Sequence, residues 1–294
     1  MFDTYLGNAA SIERLRSWVA GGAKTSLILF GIKGLSLRQL AEESAKEILK
    51  VDTLAISPDY HYIEPDEKEK IGVEAAEEIV HIASYKPAGE HHVILVDSME
   101  KMTVQCQNRL LKTIEDDEKV VLIGIVYGNG ILDTIKSRVL CLEFKPLSKD
   151  EFFKLYRGKE KIMAYALSMG CPEGVNDDMA EFYKPVIDAI SLGEEKELIK
   201  ILSLYKEKDE HAFFSSKKNE VLCLLNLLEW CYMDILRYLV LNEVGDICQP
   251  QAVKNKSEIE ARIELIEQEK SRVGSSSYTK DDFFLFICRL IETV

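Results

Sequence analysis

Four apolar runs punctuate the first half of the chain: Thr25-Ser-Leu-Ile-Leu-Phe30, His92-Val-Ile-Leu-Val-Asp97, Val120-Val-Leu-Ile-Gly-Ile-Val126 and Val139-Leu-Cys-Leu-Glu-Phe144. Each is short, apolar at nearly every position and rich in Val, Ile and Leu, the pattern of a parallel strand covered on both faces. Between them the period changes from 2 to 3.6. Ser11 to Val19 reads as a short amphipathic helix. Leu37 to Val51 carries Leu40, Ala41, Ala45, Ile48 and Leu49 at helical spacing. Ile71 to Ile82 carries Val73, Ala76, Ile79, Val80 and Ile82 on one face, and a fourth helix ends with Leu110, Leu111 and Ile114. Strand, helix and strand in alternation predict an open α/β sheet flanked by helices. A further strand is expected about His61, in Ser57-Pro-Asp-Tyr-His-Tyr-Ile-Glu-Pro65.

From about Glu195 the strand pattern stops. Glu195–Tyr205, Asn219–Glu243, Ser257–Val273 and Thr279–Glu292 are the expected helices, the last two with start signals at Ser257-x-x-Glu260 and Thr279-x-x-Asp282. Phe283, Phe284, Phe286, Ile287 and Leu290 mark the last helix as buried. Val221 to Leu241 is apolar enough to raise a membrane span, but Asn226, Glu229, Asp234 and Arg237 gather on one side of the helical wheel. An amphipathic helix with a broad buried face fits better, since charges inside a span cost several kcal/mol.

The 294 residues provide for two or three domains. A net charge of −13 argues against a chain that grips nucleic acid alone, because phosphate binding rests on clustered Lys and Arg. Seven cysteines without a CxxC pair or finger spacing point to a reducing cytoplasm and to no structural zinc. Met1-Phe-Asp-Thr-Tyr lacks the basic and apolar segments of a signal peptide. His61 has no nucleophile near it in sequence and reads as a surface strand residue; His91 and His92 read as a turn rather than a metal pair.

The strand ending at Phe30 runs into Gly31-Ile-Lys-Gly34-Leu-Ser36-Leu37-Arg38 and then a helix, the frame of a P-loop. A working loop is GxxxxGK followed by Ser or Thr: backbone N–H groups cradle phosphates, Lys reaches the β/γ oxygens and the hydroxyl holds Mg. Aligned on Gly31, Ser36 stands for the second Gly, Leu37 for the Lys and Arg38 for the hydroxyl residue. Lys33 sits at the wrong place in the loop to substitute. Phosphoryl transfer depends on these groups, so hydrolysis here is not expected.

These motifs, in this order, resemble the nucleotide-binding core of bacterial clamp-loader subunits of the AAA+ class, over roughly residues 1–147. The resemblance places Asp97 at the Mg-coordinating Walker B position, with Ser98 where active relatives carry the Glu that polarises water. It matches Asp3-Thr-Tyr-Leu-Gly-Asn8 to a segment that holds adenine in relatives. Asn129, in Tyr127-Gly-Asn-Gly130, is the one candidate for a γ-phosphate sensor and is displaced. Ser137-Arg138 falls in the Ser-Arg-Cys motif, with Val139 for the Cys; in relatives this Arg enters the neighbouring subunit's ATP site, where such a finger is worth 10³–10⁵ in rate in other systems. Phe144-Lys-Pro-Leu-Ser148 matches the hinge, and Ser148-Lys-Asp-Glu151 reads as a capping box opening a lid. Gly170-Cys-Pro-Glu-Gly174 resembles a lid turn whose following Arg is replaced by Val175 and Asn176. No cysteine lies in 31–65, so the relatives' zinc module is not carried over.

The resemblance implies an α/β AAA+ core over 1–147, a helical lid over 148–194 and an all-α collar over 195–294. It implies a non-catalytic subunit that binds no cofactor or metal and lends Arg138, supported by Ser137, to a neighbour. The degenerate own site comprises Gly31, Gly34, Ser36, Leu37, Arg38, Asp97 and Ser98. Implied partners are the gamma/tau ATPase and delta subunits and, through them, the sliding clamp and primed DNA, with no membrane. The alternatives are a residual AAA+ ATPase, or an adaptor of another replication assembly such as a helicase loader.

Overall fold

The computed structural model describes residues 7–66, 69–116, 119–173, 175–194, 196–198, 200, 217–248, 250–251, 255–273 and 280–292. They fall into two compact units, Met1–Glu151 and Phe152–Val294.

The first unit is built on five parallel strands in the order β2-β3-β4-β1-β5. They are β1 Leu27–Phe30, β2 Tyr60–Ile63, β3 His92–Val96, β4 Val120–Val126 and β5 Leu140–Glu143. Alternate side chains go to opposite faces. Leu27, Leu29, Val93, Leu95, Val121, Ile123 and Leu142 meet α1 (Ala9–Ala20) through Ile12, Leu15 and Trp18, and α2 (Leu37–Leu49) through Leu37, Leu40, Ala41 and Ala45. Ile28, Ile63, Ile94, Val96 and Leu122 meet Ala76, Ile79 and Ile82 of α3 (Val73–Ala83) and Cys106 and Leu110 of α4 (Val104–Asp116). Burial on both faces is why β1, β3 and β4 are continuous apolar runs. A one-turn helix, α5 Asp133–Lys136, follows β4 and pins its loop by the buried Ile135.

Three local expectations change. Ile71 is buried but lies before α3, bridging to Met102, and Val80 is 45% exposed, so the inward face of α3 is Ala76, Ile79 and Ile82. His92 is no turn residue: it opens β3, is buried, and lies with its Nδ1 3.4 Å from Asp59 Oδ1. Asp59 in turn accepts the Ala88 and Gly89 N–H groups at 2.9 and 2.7 Å. His61 is half-buried rather than on the surface, its ring centroid 5.5 Å from that of His92; burial, then His92, holds its pKa below the ordinary value.

Asn8 closes the unit. Its side chain donates to Lys145 O at 2.9 Å and accepts from Lys145 N at 2.8 Å, while Ser11 Oγ donates to Glu143 O at 2.6 Å. Gly7 adopts a φ of +79°, and a Cβ there would come within 2.5 Å of Leu147 Cδ2. The rest of the Asp3–Asn8 motif lies outside the described residues. Ser148 donates both N–H and Oγ to Glu151 Oε2 (2.9 and 2.7 Å), which makes the capping box of α6 (Lys149–Leu155).

The second unit is helical: α7 Lys161–Ser168, α8 Asp177–Leu192, α9 Lys217–Leu241, α10 Lys256–Val273 and α11 Lys280–Glu292. One core unites Leu167, Tyr183, Val186 and Ile190 with Leu225, Leu228 and Tyr232 of α9, Ile259 and Ile266 of α10, and Phe286, Ile287 and Leu290 of α11. The segments expected as lid and collar thus share this core. Most of the Glu195–Tyr205 helix, Gly174, Thr279 and the Phe284 side chain lie outside the described residues. The start of α10 is capped two residues earlier than expected, by Asn255, whose Oδ1 accepts Ser257 N–H at 3.0 Å.

The polar side of α9 is not the solvent face anticipated from the wheel. Asp234 is 1% exposed and accepts Ile247 N–H at 2.9 Å and Cys248 N–H at 3.2 Å; Glu229 pairs with Lys270 and Asn226 donates to Leu167 O. Tyr238, Leu239, Val240 and Leu241 are exposed instead, at the C-terminal end. Among the described residues no helix is long and apolar enough to cross a membrane.

Candidate functional site

In a parallel sheet the crevice beyond the carboxyl ends of the strands is where ligands bind. Here the segments following β1, β3 and β4 supply it: Gly31–Ser36, Asp97-Ser98 and Tyr127–Gly130. β4 lies between β1 and β3, so the three segments adjoin.

The first loop turns tightly from β1 into α2. Gly31 packs so closely that a Cβ would sit 2.9 Å from Leu37 Cδ1 and 3.1 Å from Phe144 O. Gly34 has a φ of +94° and Ser36 one of +54°, the left-handed steps that turn the chain into α2. Leu37, at the position where a P-loop has its Lys, is 1% exposed and belongs to the core formed with Leu40 and Ala41. Arg38, at the place of the metal-binding hydroxyl, lies over the Tyr62 ring, 4.6 Å from its centroid, and bonds Glu42 at 3.1 Å. Lys33 lies over the Tyr127 ring at 5.7 Å.

Asp97 follows β3 and accepts hydrogen bonds from Tyr62 Oη (3.2 Å) and from Ser98 Oγ (3.2 Å). Tyr62 is shared with Glu64 Oε2 at 3.1 Å. Burial first, then the Asp97 charge, pushes the Tyr62 phenol far up, so it stays a proton donor. Arg38, Tyr62 and Asp97 form one cluster that places a fixed cation near the carboxylate. Tyr62 carried no motif signal: its role needs β2 beside β3, a pairing 35 residues apart in sequence.

The third segment hangs on Gln107, which is 1% exposed. Its Nε2 donates to Met102 O (3.1 Å) and Gly130 O (2.8 Å), and its Oε1 accepts from Leu132 N (2.9 Å). Glu100 Oε2 accepts from Tyr127 N at 3.1 Å. Asn129 itself is exposed. Gln107→Leu takes the partner from one buried and two part-buried backbone groups and is expected to cost about 2 kcal/mol, read as a lower urea midpoint. An unchanged midpoint would mean that water replaces the amide without loss.

Arg138 follows α5, away from the other site residues in sequence. Its Nε bonds Glu115 Oε1, and its Nη1 donates to Thr134 O (2.8 Å) and Ser137 Oγ (3.2 Å). Ser137 Oγ itself donates to Thr134 O at 3.0 Å. The guanidinium is 38% exposed and Glu115 42%. Among the described residues no group of His, Cys, Asp and Glu could hold a metal ion.

Residues 20–148 match the family described as DNA polymerase III, delta subunit. A DNA polymerase III gamma-subunit-related protein of Thermotoga maritima superposes with a TM-score of 0.51 at 18% identity, over 94% of this chain and 97% of that one. The RuvB Holliday junction branch migration motor of the same organism gives 0.46 at 16% identity, over 69% and 78%. The Bacillus subtilis DNA clamp loader delta protein gives 0.37 at 13% identity, over 95% and 99%. No curated protein matches the chain by sequence. The Thermotoga gamma-related structure shares the fold: a parallel sheet flanked by helices and followed by further helices.

Proposed function

We propose, from the match of residues 20–148 to the family described as DNA polymerase III, delta subunit, that the chain is a delta-prime-like stator of the bacterial clamp loader. It does not turn over ATP itself and lends Arg138 to the ATP site of a neighbouring gamma/tau subunit. It works in the cytoplasm beside the delta subunit and, through the assembly, on the sliding clamp and primed DNA. The observation that carries this reading is Leu37, buried in the core at the one position from which a Lys must reach phosphate. Arg38 supports it: a cation beside Tyr62 and Asp97 stands where a hydroxyl and Mg would be needed, so the residues present do not fit a magnesium–nucleotide. Arg138, by contrast, keeps a partly exposed guanidinium oriented by Thr134 and Ser137.

The test is magnesium-dependent ATP hydrolysis by the purified chain. No saturable turnover is expected; turnover abolished by Asp97→Asn would establish the residual ATPase instead. A collar role finds support in the end of α9, where Tyr238, Leu239, Val240 and Leu241, with Val244 beyond it, are 36–65% exposed. Apolar clusters of this kind mark protein contacts. Leu241→Glu is expected to leave folding unchanged and to weaken assembly with the cognate loader subunits about tenfold, measured by sedimentation. Equal assembly would remove this helix end from the interface, and assembly only with a helicase would favour the adaptor.

A further inference from the structure

The contacts of Arg138 divide the guanidinium unevenly. Nη1 is held by Thr134 O and Ser137 Oγ, both within the same turn. Nε is held by Glu115, which comes from the end of α4, 23 residues earlier. Nη2 has no partner among the described residues. Arginine grips a carboxylate or phosphate in parallel through two N–H groups on one edge. The end-on edge, Nη1 with Nη2, is engaged by the turn that orients the side chain. The side-on edge, Nε with Nη2, is occupied at Nε by Glu115. A phosphate can take that edge in bidentate fashion only if Glu115 lets go, and the Glu115 carboxylate repels an approaching phosphate while it stays.

Resting on the stator reading, we infer that Glu115 is a positioning residue for the finger. It parks Arg138 in the free chain and exchanges it for the γ-phosphate of the neighbour's nucleotide, while Thr134 and Ser137 keep the guanidinium in place. Glu115 is exposed enough to swing aside without disturbing the core. An exposed pair of this kind holds weakly, which suits a contact that is made to be exchanged.

Glu115→Gln keeps an acceptor oxygen for Nε and removes the charge. In the purified full chain, Arg138 should react with phenylglyoxal about threefold faster in this variant, followed by mass spectrometry of its peptide. In the reconstituted loader, the KM for ATP should fall about threefold at unchanged kcat. Glu115→Gln combined with Arg138→Ala should behave as Arg138→Ala alone. Labelling equal to wild type, or a KM shift that survives in the double variant, overturns the inference and leaves the stator reading intact. A wild-type chain that enters no loader complex overturns the stator reading and the exchange together, whereas faster labelling of Glu115→Gln would still uphold the parking contact.

Discussion

Leu37→Lys, the substitution that restores the P-loop lysine by name, is expected to destabilise the first unit by about 3 kcal/mol and to confer no ATP hydrolysis. Leu37 is 1% exposed, belongs to the core with Leu40, Ala41 and Leu142, and lies against Gly31. A lysine there either buries an ammonium or swings out and leaves the leucine's volume empty. Emptying a buried leucine site costs about 2–5 kcal/mol, and an unpaired buried charge costs at least as much. Nor is one residue enough for function. On the clamp-loader resemblance, Ser36 remains in place of the second glycine, Arg38 in place of the hydroxyl, and Ser98 in place of the catalytic carboxylate. A lower urea midpoint with no magnesium-dependent turnover is the expected pair of results. A variant as stable as wild type that hydrolyses ATP would show that a single side chain had silenced an otherwise competent site.

The sheet was legible because both of its faces are covered. β4 spans Val120–Val126, the seven residues of the apolar run, and β3 spans the first five of the run from His92. A buried parallel strand has no polar face to blur its limits. Helix faces were less legible. Ile71 is apolar because it is buried ahead of α3, and Val80 is apolar although it faces water. On α9 the wheel separated polar from apolar positions, but Asp234 turns inward to take the Ile247 and Cys248 amides. Periodicity reports which side is polar, not whether water or backbone satisfies it.

The site divided in the same way. Gly31, Leu37 and Arg38 lie in one loop and Asp97 directly follows an apolar strand, so local spacing places each of them. Tyr62, Gln107 and Glu115 could not, since each acts across strand order or loop packing: Tyr62 on Asp97, Gln107 on Gly130 and Leu132, Glu115 on Arg138. His92 and Asp59 were missed as a pair because β2 and β3 bring them together from 33 positions apart. The Asn8–Lys145 bonds, 137 positions apart, lay equally out of reach.

Arg138→Ala is the second large effect. The side chain is partly exposed and its bonds run to Glu115, Thr134 and Ser137, so its removal should shift the unfolding midpoint little. Its loss should instead be felt in another subunit. A guanidinium that neutralises charge developing on a γ-phosphate contributes 10³–10⁵ in rate where fingers have been removed from other phosphoryl-transfer systems. If Arg138 serves a neighbour's ATP site, as the stator reading proposes, a loss on the order of 10³ is expected there. The decisive measurement is DNA-stimulated ATPase of a loader reconstituted from the cognate subunits with wild-type chain or with Arg138→Ala, ring formation being checked by size. The stator account predicts a ring of the same size in both cases and turnover lost at the served site only with the variant. Equal ATPase and clamp loading from the two rings would contradict it.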